Sequence, residues 1–82
     1  MAYIYNDNSN TLVSGTGSND SIENYRGDNV TIIGGKGNDS IENLAGVKLT
    51  MEGGTGNDSI KNWYGSNVTI DGGVGGDVII AI

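Results

Sequence analysis

The sequence predicts an all-β fold, a parallel β-solenoid of about four 19-residue coils, on three observations: a fixed repeat, apolar alternation inside it, and turn residues at its ends. Ile22, Ile41, Ile60 and Ile79 recur at a spacing of 19, and so do Asp20, Asp39, Asp58 and Asp77. The same interval links Asn24, Asn43 and Asn62; Gly27, Gly46 and Gly65; and Thr31, Thr50 and Thr69. A flexible low-complexity linker has no reason to hold apolar residues in register over so many positions.

Each unit reads as a glycine-rich turn, a strand of the type Asp-Ser-Ile-Glu-Asn, a second turn containing glycine, and a strand of the type Val-Thr-Ile. Apolar and polar residues alternate in both strands, as they do where one face is buried, and Gly and Asn punctuate the ends. The chain divides into an N-terminal half-coil (residues 1–13), three coils (14–33, 34–52 and 53–71) and a C-terminal half-coil (72–82), all in a single domain. Stacking sets equivalent strands about 4.8 Å apart in parallel ladders. Ile4, Ile22, Ile41, Ile60 and Ile79 are expected to form one inward column. Leu12, Val30, Ile32, Leu49, Met51, Val68 and Ile70 are expected to face it. A core this thin is small against the entropy of ordering the chain, which points to an added staple.

Composition narrows the nature of that staple. With 82 residues, 35% of them apolar, there is material for one domain at most, and 15 glycines imply an architecture of many tight turns. Ten acids against four bases leave a net charge of −6, so no basic patch exists to meet nucleic-acid phosphates, and cations are the natural partners. The chain has no cysteine and no histidine, which removes disulfides, thiolate sites, the usual zinc ligand and the commonest general base. The start Met1-Ala2-Tyr3-Ile4-Tyr5 shows no signal-peptide pattern, and no apolar run approaches the ~20 residues of a membrane-spanning helix. Export would then use another route, or the segment belongs to a longer chain.

The glycine-rich turns supply the chemistry. Three nine-residue segments share one pattern: Gly34-Gly35-Lys36-Gly37-Asn38-Asp39-Ser40-Ile41-Glu42, Gly53-Gly54-Thr55-Gly56-Asn57-Asp58-Ser59-Ile60-Lys61, and Gly72-Gly73-Val74-Gly75-Gly76-Asp77-Val78-Ile79-Ile80. Glycines allow the positive φ values that curl a short loop so that its carbonyl oxygens converge, and the aspartate adds a hard anionic oxygen. Stacked carboxylates about 5 Å apart repel by roughly 1 kcal/mol even in water, and a cation between coils reverses that sign. An all-oxygen donor set in an adaptable loop suits Ca²⁺ better than Zn²⁺ or Mg²⁺.

On these segments the chain resembles the RTX family of secreted bacterial proteins over about residues 14–82. The resemblance implies a right-handed parallel β-roll that forms when calcium is bound between neighbouring turns. It implies carboxylate ligands at Asp39, Asp58 and Asp77, with Asp20 as a provisional fourth. It also implies carbonyl ligands at Gly34, Gly35, Gly37, Gly53, Gly54, Gly56, Gly72, Gly73 and Gly75. The tandem arrangement of common RTX rolls is absent, since the other half-coil carries Asn24 to Asn29, Asn43 to Lys48 and Asn62 to Asn67 with a single aspartate. Calcium is therefore expected along one edge, in two interloop sites joined by a third. In this the chain is similar to the calcium-dependent repeats of large bacterial ice-binding adhesins. The first loop, Gly15-Thr16-Gly17-Ser18-Asn19-Asp20, has one residue more between its last glycine and its aspartate.

Other features read as structural. Asn24, Asn43 and Asn62 suit an asparagine ladder, and Trp63, Tyr64 and Tyr25 suit turn aromatics covering a neighbouring coil rather than a sugar platform. The outward row Thr16, Lys36, Thr55, Val74 is too irregular for an ice-binding array, the Asn-x-Ser/Thr matches are by-products of the repeat, and nothing around Asp39 and Glu42 suggests a catalytic cleft. The reading is a non-catalytic calcium-binding module, secreted or at the bacterial cell surface. Two further roles stand beside it: a self-associating, end-to-end filament subunit, and a C-terminal targeting or secretion domain of a secreted hydrolase or adhesin.

Overall fold

The computed structural model describes residues 2–81, which form seven strands and no helix. They are β1 (Tyr3–Asn6), β2 (Thr11–Ser14), β3 (Ser21–Asn24), β4 (Val30–Ile33), β5 (Ser40–Glu52), β6 (Ser59–Asp71) and β7 (Val78–Ala81). All pairings are parallel, and they build two ladders. One runs through β1, β3, the first parts of β5 and β6, and β7; the other runs through β2, β4 and the second parts of β5 and β6. This is the stacked β-solenoid of about four turns that the repeat predicts.

Register follows the period. Ile22 pairs with Ile41, Ile41 with Ile60 and Ile60 with Ile79. The first step of this ladder is 18 residues rather than 19, Asn6 to Asn24, because the turn at 7–10 is one residue shorter than its successor at 25–29. In the coils of residues 34–52 and 53–71 the two expected short strands merge into the 13-residue strands β5 and β6. The intervening turn stays in the ladder, with Gly46 opposite Gly65 and Val47 opposite Ser66. The corner is taken one residue further on, where Asn10, Asn29, Lys48 and Asn67 form a column with φ of 54°, 60°, 62° and 53°. Asparagine tolerates that left-handed conformation better than lysine does.

The chain is flat, with principal extents of 26 × 22 × 14 Å, so the interior holds a single layer of side chains between backbone walls. Ile22, Ile41 and Ile60 form the buried part of one column, and Val30, Ile32, Leu49 and Met51 lie buried in the other, with Ile4, Val68 and Ile70 packed against them. Ile79 keeps its place in the column but is half-exposed on the last described strand. Leu12 is a correction: it is 63% exposed, and Val13 is buried in its stead. The register explains it, because Val13 pairs with Ile32 whereas Leu12 pairs with Thr31 and so shares the outward row of threonines.

Polar residues line the same interior. The asparagine ladder is present and reaches one coil further than expected, to Asn6. The Nδ2 of Asn6 donates to Asn24 Oδ1, Asn24 to Asn43 and Asn43 to Asn62, each at 2.8 Å. Each shared asparagine both donates and accepts, which keeps a buried amide satisfied.

Two substitutions test this register and one tests the corner. Val13→Ala is expected to cost about 2 kcal/mol, from the methyl groups withdrawn from the interior. Leu12→Thr should stay within about 0.5 kcal/mol of wild type. Thermal melts in calcium compare them, and equal losses would contradict the observed register. In the same assay Lys48→Asn should raise Tm by a few degrees, because it relieves the one corner that asparagine does not occupy.

Candidate metal centre at the glycine-loop edge

Along one edge of the solenoid the loops after β4, β5 and β6 end in Asp39, Asp58 and Asp77, and the loop after β2 ends in Asp20. Their glycines are needed for close approach as much as for conformation. Gly35, Gly54 and Gly73 hold φ of 91°, 91° and 83°, in the left-handed region. The carbonyl oxygens of Gly35 and Gly37 lie tightly against the backbone of Gly54 and Gly56 in the next coil, and those of Gly54 and Gly56 against Gly73 and Gly75. Gly34 and Gly53 serve differently. A Cβ on Gly34 would sit 2.7 Å from Asp39 Oδ2 and 2.8 Å from the carbonyl oxygen of Gly53; on Gly53 it would sit 2.6 Å from Asp58 Oδ2 and 2.8 Å from the carbonyl oxygen of Gly72. Each of these glycines therefore leaves free a position flanked by a carboxylate oxygen of its own loop and a carbonyl oxygen of the next. At Gly72 the carboxylate oxygen of Asp77 is present, but no next-coil carbonyl flanks it among the described residues.

The aspartates are tied into the stack by one oxygen each. The backbone N–H of Asp20 donates to Asp39 Oδ1 at 2.9 Å, that of Asp39 to Asp58 Oδ1 at 2.8 Å, and that of Asp58 to Asp77 Oδ1 at 2.9 Å. The other oxygen divides the loops into two kinds. Oδ2 of Asp39 and Oδ2 of Asp58 are buried without any hydrogen-bond partner. Asp20, equally buried, has both oxygens engaged, by the N–H and hydroxyl of Thr16 and by the N–H of Ala2.

The proton affinities follow these surroundings. Burial pushes Asp39 up to about 6; the N–H of Asp20 works against this, and the charges of Asp58 and Asp20 add to it. Burial likewise raises Asp58, opposed by the N–H of Asp39 and helped by Asp77. Burial also acts to raise Asp20, but hydrogen bonds from Thr16 and Ala2 outweigh it and leave that carboxyl below its ordinary value.

These features fit a hard cation. A buried carboxylate oxygen with no donor is costly, and a divalent ion satisfies it where no N–H is in place. Among the described residues no three His, Cys, Asp or Glu side chains converge, so an ion here would take no more than two carboxylates and would draw its other ligands from main-chain carbonyls. That donor set is oxygen alone, which suits calcium and does not suit zinc.

Of the residues the sequence singled out, Asp39, Asp58, Gly34, Gly53 and the carbonyl of Gly72 come together around the two free oxygens. Gly35, Gly37, Gly54, Gly56, Gly73 and Gly75 form the stacked backbone beside them. Two further groups were not singled out as functional. Thr16 engages Asp20, and it falls at the loop position of Gly35, as Ser18 falls at that of Gly37, which counting the loop by the 19-residue period would have shown. Asn19, Asn38 and Asn57 accept, through their side-chain Oδ1, the N–H of the equivalent residue one coil on at 2.7 to 2.8 Å.

Tyr25 stacks on Tyr5 with ring centroids 6.3 Å apart, Trp63 donates from Nε1 to Glu42 Oε2 at 2.6 Å, and Tyr64 is largely exposed.

A pH dependence follows for protein stripped of divalent cations on a chelating resin. The folded-state pKa of Asp39 lies above its ordinary value of 3.8, so between about 4 and 6 the folded chain binds more protons than the unfolded one. Stability then falls as pH rises through that window. Asp20 acts in the opposite sense, but only below the window. Circular dichroism should therefore show a more ordered or higher-melting stripped chain at pH 5 than at pH 7.5, and the reverse order would contradict the burial described for Asp39.

No family model, curated protein or solved structure matches this chain, so the functional reading rests on the geometry of this edge and on the sequence pattern that builds it.

Proposed function

We propose that the chain is a calcium-binding structural module whose order depends on calcium, working outside the bacterial cell and carrying no catalysis of its own. The observation that carries this reading is the pair of buried, donor-free oxygens at Asp39 and Asp58, each beside a glycine carbonyl of the next coil. The glycine-aspartate pattern repeated along one edge supports it, and the extracellular setting rests on the likeness of that pattern to the RTX family.

Asp39 and Asp58 would hold the ions through Oδ2, with Gly53 and Gly72 contributing carbonyl oxygens. Bound calcium supplies positive charge between stacked carboxylates that otherwise repel. The protein's part is to place those oxygens: Oδ1 of Asp39 and Oδ1 of Asp58 are each held by a backbone N–H of the neighbouring coil, which leaves the second oxygen free. Ordering the loops and binding the ion are then one equilibrium, and stabilisation grows as RT ln(1 + [L]/Kd). Low calcium would leave the loops loosely ordered, whereas calcium at extracellular levels would close them.

The test is circular dichroism and thermal melting in calcium and in excess EGTA. A parallel-β spectrum with a cooperative melt is expected in calcium, and both should be lost or sharply weakened in EGTA. Asp58→Asn should weaken the calcium-dependent gain in Tm while leaving a folded protein at high calcium. A spectrum and melt indifferent to EGTA would refute the proposal.

A further inference from the structure

The four aspartates at the glycine-loop edge have the same place in the repeat, but they do not have the same surroundings. Asp39 and Asp58 keep one oxygen with no partner, whereas the Thr16 N–H reaches Asp20 Oδ2 at 2.7 Å and the Thr16 hydroxyl lies 2.8 Å from Oδ1 and 3.0 Å from Oδ2. The Ala2 N–H reaches Asp20 Oδ1 at 3.1 Å.

The flanking carbonyl is still present in the first loop. A Cβ on Gly15 would lie 2.8 Å from Asp20 Oδ2 and 2.5 Å from the carbonyl oxygen of Gly34, the same pair of oxygen types as at Gly34 and Gly53. What differs is the donor. Gly35, Gly54 and Gly73 take left-handed φ values, while Thr16, at the same loop position, is not among the residues with positive φ. Its hydroxyl is in turn held by the Ser18 N–H at 3.2 Å, so the first loop is closed by bonds within itself.

We infer that Thr16 takes the place of a cation at Asp20, so that the first loop is closed without metal and residue 16 decides whether this coil accepts an ion. The inference rests on the calcium reading of the Asp39 and Asp58 loops and extends it to specificity along the edge. A cation and two donated hydrogens compete for the same oxygens, and an ion entering the first loop would have to displace all the Thr16 bonds. Calcium loading is then confined to the later loops, and the first coil offers them an edge that is ordered in the absence of calcium. A solenoid propagates order from neighbour to neighbour, so one metal-independent coil provides a place from which the calcium-dependent coils assemble.

The experiment counts ions bound by the whole chain, using native mass spectrometry and equilibrium dialysis with calcium, and uses circular dichroism in calcium to verify that each variant is folded. Asp20→Asn is expected to bind as many ions as the wild type. Thr16→Gly combined with Ser18→Gly, which gives the first loop the glycine pattern of the others, is expected to bind one ion more. Wild type that binds calcium while Asp20→Asn binds one ion fewer overturns the inference alone, as does a folded glycine variant that gains no ion. Wild type that takes up no calcium overturns the inference together with the reading beneath it.

Discussion

A carboxylate oxygen buried with no donor is the constraint on which this solenoid turns. Each repeat sends one aspartate into the edge of the stack, and the backbone of the neighbouring coil satisfies only one of its oxygens. Inside a protein a lone anionic oxygen is costly unless a hydrogen or a cation reaches it. The first coil uses hydrogens from Thr16, while the next two leave the position open beside a carbonyl. The glycines, the 19-residue spacing and the thin core are all consistent with an architecture whose stability is completed at that edge.

The rest of the interior is thin, which is why a staple at the edge is proposed. One layer of side chains separates the two ladders, and much of its polar content is bonded along the stack rather than across it. The asparagine ladder and the aspartate ladder each convert a buried polar group into a link between consecutive coils. Such links are nearest-neighbour in character, so a gain at one interface is passed to the coils beside it. On the proposed reading, calcium held between coils would act in the same direction as these ladders, and its contribution would vary with the calcium of the surroundings.

Much of this was legible in the sequence because the repeat writes position directly. Once Ile22, Ile41 and Ile60 fall at equal intervals, parallel pairing and an inward column follow from the period of a strand, and Asp39 and Asp58 must lie one above the other. The failures came where the pattern was locally ambiguous. Thr11-Leu12-Val13-Ser14 has two adjacent apolar residues, and alternation cannot choose between them; pairing of Val13 with Ile32 does. The aspartate environments were illegible for another reason. Whether Oδ2 meets a hydroxyl, an N–H or nothing depends on loop conformation, and a threonine at the position of Gly35 changes that conformation without disturbing the repeat.

The most direct measurement is the side-chain carboxyl ¹³C shift of each of the seven aspartates, followed by NMR as calcium is added. The account predicts that the carboxyl signals of Asp39 and Asp58 move together and saturate, while that of Asp20 holds its position once the fold is formed. Saturating calcium that leaves the Asp39 and Asp58 carboxyls unshifted would contradict it.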